Sequence, residues 1–164
     1  MLTSMGSSHA GGYPSGMATT ERTLHATADA VWDVLADGWL YPLWVVGASR
    51  MREVEGTWPE VGARLHHSVG AWPLLVDDET EVVAATPGVS LTLHAKARPS
   101  GSAEVTIRLE PVGDETRVVI EEDAVTGPAR LVPKPVRDMG LAWRNVESLR
   151  RLAYVAERRS ARDG

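Results

Sequence analysis

Residues 136–159 read VRDMGLAWRNVESLRRLAYVAERR and contain no proline. Met139, Ala142, Trp143, Val146, Leu149, Ala153 and Ala156 recur at steps of three and four, which gathers them on one side of an α-helix. Arg137, Arg144, Glu147, Ser148, Arg151 and Arg158 take the other side. At about 1.5 Å per residue, such a helix is on the order of 35 Å long, close to the width of a small domain. An apolar stripe of that length needs a broad apolar partner.

The chain upstream reads as strands that could provide it. Segments 63–69, 74–85, 89–97, 103–110 and 116–124 are separated by Trp72-Pro73, Pro87-Gly88, Pro99-Ser100-Gly101 and Gly113-Asp114. Short segments with Gly/Pro breaks at this spacing predict an antiparallel meander. Alternation fixes the faces. Val105, Ile107 and Leu109 point one way, while Glu104, Thr106, Arg108 and Glu110 point the other. Leu91, Leu93, Ala95 and Ala97 alternate with polar neighbours in the same manner. One apolar and one wet face predict a sheet covered on a single side.

Two further strands are expected at 20–25 and 45–54. Between them, Thr27 is placed to cap a short helix carrying Val31, Val34 and Leu35 on one face. Gly38 is expected as its left-handed C-cap. Pro42, within Trp39-Leu-Tyr-Pro-Leu-Trp44, limits the next helix to a turn or so. Residues 127–135, with three prolines, read as a loop into the long helix. The economical packing is α+β: a curved antiparallel sheet of about six or seven strands around the C-terminal helix.

The 164 residues suit a single domain, 18–160, behind a Gly/Ser-rich tail, 1–17, in which Met17 could be the natural start. A formal net charge of -5 opposes a nucleic-acid partner, and the seven arginines from Arg137 to Arg162 read as a solvated helix face. Cysteine is absent, so disulfides and thiolate chemistry are excluded. No apolar run approaches the ~18 residues of a membrane span, and no secretory leader is visible. A cytoplasmic location is the resulting expectation. Phenylalanine is absent while tryptophan occurs six times, so bulky aromatic area is concentrated at a few positions.

Several stretches also carry a family likeness. They are ADAVWDVL at 28–35, YPLW at 41–44, DETEV at 78–82, ETRV at 115–118 followed by Glu121-Glu122, and Arg144-Asn145 with LRRL at 149–152. Together, over residues 18 to 158, the sequence resembles the SRPBCC superfamily of START-like, birch-pollen-allergen-like and polyketide cyclase/dehydrase-like domains. The resemblance implies a helix-grip fold with an apolar cavity between sheet and terminal helix. It implies a hydrophobic ligand such as a lipid or polyketide, and it transfers no catalytic residue.

The leading expectation is a protein that holds a small hydrophobic molecule, as a monomer or homodimer and without a cofactor. Trp44, Met51, Trp72, Leu93, Ile107, Met139 and Trp143 would line the cavity. Strand alternation turns Asp78, His67 and Glu122 inward as well, where one of them would fix a polar end. The rival expectation is a cyclase or dehydratase in which Asp78, His67 or Glu122 moves protons. A third is an interaction domain with a filled core. A hollow of roughly 300 Å³ or more separates the first two from the third. A metal is not expected: His66 and His67 are adjacent on a strand and face opposite sides.

Overall fold

The computed structural model describes residues 17–71, 73–97, 101–126, 128–131 and 133–163. The order of elements is β1 (Ala18–Leu24), α1 (Ala28–Leu35), a 3₁₀ turn (Gly38–Leu40), α2 (Tyr41–Trp44), β2 (Ala48–Glu55), β3 (Arg64–Ala71), β4 (Leu74–Thr86), β5 (Ser90–Ala97), β6 (Gly101–Val112), β7 (Glu115–Thr126), a second 3₁₀ turn (Pro128–Leu131) and α3 (Lys134–Asp163). The expected tail before residue 17 lies outside the described residues.

The seven strands form one antiparallel, curved open sheet in the order β1-β7-β6-β5-β4-β3-β2. Strands β2 to β7 form a meander of neighbours in sequence, and β1 closes against β7 with Ala18 opposite Glu122. Leu65, Val82, Leu91, Leu93, Ile107, Leu109, Val118 and Ile120 are buried on the covered face. A register shift between Val82 and Ala84 turns Ala84 outward and brings Ala85 against the core instead. Uninterrupted alternation from Val82 would put Ala84 inside.

Thr27 caps α1: its Oγ1 accepts from the Ala30 amide at 3.3 Å, and Val31, Val34 and Leu35 are buried. Gly38 departs from its expected role. Ala36 ends α1 in a right-handed conformation, and Gly38 opens the next turn under the Asp37 side chain. What requires glycine there is space, because a Cβ would sit 2.8 Å from Leu65 Cδ2.

Gly70 carries both constraints. Its φ is +106°, and a Cβ would lie 2.4 Å from the Leu74 carbonyl oxygen. Gly70→Ala is expected to cost about 2 kcal/mol. That corresponds to a fall of roughly 4–8 °C in Tm for a domain of this size. Gly113→Ala, with φ +62° and nothing within 4 Å, is expected to cost less in the same thermal melt.

The terminal helix is longer than its sequence pattern suggested, since Pro135 sits in its first turn where no backbone donor is needed. Its second half packs Leu149, Leu152, Ala153 and Ala156 against β1, α1 and α2. Its first half corrects the expected stripe. Met139 is 70% exposed and Trp143 67%, and Val146 also faces solvent. Asn145 and Ser148 are buried in their place. The inward stripe is rotated by about one residue because polar groups on the sheet side recruit polar partners from the helix.

Candidate functional site

A hollow remains where the middle of α3 crosses the sheet. Leu93 and Ala95 of β5, Val105 and Ile107 of β6 and Ile120 of β7 form its floor. Tyr41, Trp44 and Val45 wall one side, and Arg144, Asn145 and Ser148 of α3 form the roof. Tyr41 and Trp44 reach the same side because they stand three apart in α2, where their rings meet edge to face at 5.4 Å. The hollow has a volume of about 70 Å³. It is thus smaller than the roughly 300 Å³ usual for a drug-sized ligand.

Two polar groupings adjoin these apolar walls. In the first, Glu122 is 2% exposed and both of its oxygens accept from Arg144 Nη2. Asn145 Nδ2 donates to Glu122 Oε2 at 3.1 Å. A carboxylate this deep is tolerated only with a cation and hydrogen bonds around it. Ser148 Oγ accepts from the Val46 amide at 3.2 Å, which leaves its own proton available to donate.

In the second grouping, Tyr41 Oη and His67 Nε2 both meet Thr80 Oγ1, at 3.2 and 3.0 Å. Burial pushes the Tyr41 hydroxyl above its ordinary value, while the Thr80 hydrogen bond and the Arg144 charge pull against that rise. Burial, aided by the charges of Arg52 and His66, lowers His67 to about 4, so the imidazole is neutral at neutral pH. Its Nδ1 is buried without a hydrogen-bond partner among the described residues. Asp78 is buried opposite His67 in the β3–β4 register, and its Oδ1 accepts from the Glu79 amide at 2.9 Å.

The structure therefore places Trp44, Leu93 and Ile107 on the wall of the hollow. Met51 is half-buried against the core and does not line it. Asp78 and His67 face inward, yet neither lines it. Met139 and Trp143 are turned to solvent and do not face the hollow. Trp72 lies outside the described residues. Arg144, Asn145 and Ser148 were missed because the apolar residues alone set the helix phase. The signal was Glu122: an inward acid needs a cation, and Arg144 is one helix position from the assumed stripe. Among the described residues no three His, Asp or Glu side chains gather as a metal site would require. No described helix is long and apolar enough to cross a membrane.

An open antiparallel sheet gripping a terminal helix above a small hollow defines the helix-grip class. Within it, the chain belongs to the polyketide cyclase/dehydrase and lipid transport family, whose model matches residues 17–157. No curated protein matches the sequence. Solved structures share the fold at low identity. A protein of Nitrosomonas europaea is 18% identical, with a TM-score of 0.72 over 91% of this chain and 99% of its own. The Zhui aromatase/cyclase of a Streptomyces species is 20% identical, with a TM-score of 0.66 over 87% and 95%. A protein of the dynemicin biosynthetic locus is 19% identical, with a TM-score of 0.64 over 88% of this chain and 48% of its own.

Proposed function

We propose that residues 18–160 act as one binding domain for a small, largely apolar molecule seated between β5–β7 and α3. The observation that carries this reading is the composition of the hollow: seven apolar or aromatic side chains besides Tyr41, with Arg144, Asn145 and Ser148 confined to the roof. A mostly apolar wall with a few convergent polar groups is the usual build of a small-molecule site. The family, which joins cyclases and lipid carriers, supports the same ligand class. At about 70 Å³ the hollow falls under the roughly 300 Å³ mark and so also fits the filled-core interaction domain, the second reading; a ligand held here would lie largely in the mouth.

Holding is better supported than turnover. Acid–base catalysis needs at least two positioned groups facing the substrate. Glu122 is committed to Arg144 and Asn145, and His67 stands behind Thr80.

The test is titration with acdan, a neutral acetyl-dimethylaminonaphthalene dye whose emission shifts to the blue in apolar surroundings. Saturable, blue-shifted binding of one dye per chain is expected. Ala95→Phe, which fills the hollow from its floor, should weaken binding at least tenfold while the fold persists by circular dichroism. Dye binding that ignores Ala95→Phe, or no binding at all, would refute the site.

A further inference from the structure

Resting on that reading, the geometry points to Glu122 as a specificity residue: by cancelling the charge of Arg144, it makes the hollow accept a neutral acceptor oxygen and exclude a carboxylate. An arginine on the roof of an apolar site would ordinarily read as an anchor for an acid. Here the anion is already supplied from within the protein. Glu122 is buried and takes the Nη2 donor of Arg144 on both its oxygens, while Asn145 holds one of those oxygens at 3.1 Å. The pair is neutral as a unit.

The groups left over are donors. Nε and Nη1 of Arg144 have no hydrogen-bond partner among the described residues, and the Ser148 hydroxyl accepts from Val46 and retains its proton. Donors without net charge match a ketone, ester or amide oxygen. A ligand carboxylate would instead bring a second negative charge towards Glu122, which does not line the hollow but stands directly behind its roof residues Arg144 and Asn145, above a floor of Leu93, Val105, Ile107 and Ile120. Two carboxylates in one poorly solvated site oppose each other's ionisation, and rejection by like charge is a recognised route to specificity.

The experiment pairs acdan with its carboxylate counterpart, in which a carboxyl group replaces the acetyl. The two are nearly equal in size and ring system. The wild-type protein at pH 7 is expected to bind the ketone at least tenfold more tightly. Glu122→Gln keeps the shape and the acceptor oxygen but frees the arginine charge, so preference should move toward the carboxylate by tenfold or more. Equal or tighter binding of the carboxylate by the wild type would overturn the inference while leaving the binding site standing. So would a Glu122→Gln protein that folds and keeps the wild-type preference. Should Glu122→Gln not fold, Arg144→Gln replaces it. That variant leaves the Glu122 charge unbalanced beside the ligand, and is expected to reject the carboxylate at least as strongly. If it gains carboxylate affinity instead, the inference fails. Failure of both dyes to bind the wild type would overturn the binding reading and this inference together.

Discussion

Arg144→Met is expected to lower the unfolding free energy by about 3 kcal/mol, and adding Glu122→Gln to it should recover most of that loss. The asymmetry between the partners sets the size. The Glu122 side chain is 1% exposed and that of Arg144 37%, so removing the arginine strands the charge that cannot reach water. Breaking a buried pair from one side costs about 3–5 kcal/mol, whereas removing both charges is often nearly neutral. The partial exposure of Arg144 and the remaining Asn145 bond place the expectation at the lower end. Glu122→Gln alone should cost clearly less, because the freed guanidinium can turn to solvent. Urea unfolding of the two single variants and the double variant closes the cycle. A loss below about 0.5 kcal/mol for Arg144→Met would reduce the pair to an ordinary surface bridge. It would also remove the physical basis for a charge-cancelled roof.

The fold was legible because its main signals are local. Gly/Pro breaks and two-residue alternation located every strand of the meander, and the proline-free stretch located the helix. What alternation could not see was the shift between Val82 and Ala84, where an irregular pairing reverses the faces of β4 beyond that point. Helix phase was harder for a related reason. In α3 two candidate stripes overlap, one through Met139, Trp143 and Val146 and one through Asn145, Leu149, Leu152 and Ala156. Hydrophobicity alone favours the first at its N-terminal end. The structure selects the second because Glu122 must be satisfied, and that demand comes from β7, more than twenty residues earlier in the chain. The apolar floor of the site could be read from strands, while its polar roof required tertiary pairing. Trp143 illustrates the consequence. Trp143→Ala, expected in the inward reading to open the core, should leave stability within about 0.5 kcal/mol, as befits an exposed side chain.

His67 should give this protein a stability loss in mildly acidic solution. Its imidazole titrates at about 4 in the folded chain against an ordinary 6.5, because burial and the neighbouring charges of Arg52 and His66 disfavour the cation. The unfolded chain therefore takes up a proton between those values that the folded chain refuses. Stability then falls as pH drops from 6.5 towards 4 and levels off, for this residue, below that. The whole shift is worth on the order of 3 kcal/mol, of which about 2 kcal/mol is lost between pH 7 and pH 5. Glu79 works in a lower range. Its carboxyl is held below the ordinary 4.5, chiefly by the Lys96 hydrogen bond, so the stability it contributes goes only as pH falls through and below that value. The interval above pH 5 thus isolates the histidine. His67→Gln can still hydrogen-bond Thr80 but has no proton to gain, so its urea midpoint should be flatter than the wild type's from pH 7 to pH 5. If the two profiles run parallel, the imidazole is more hydrated than its burial beneath Tyr41 and Thr80 implies, and the inward strand face at β3 is looser than the packing of Leu65 and Val82 beside it.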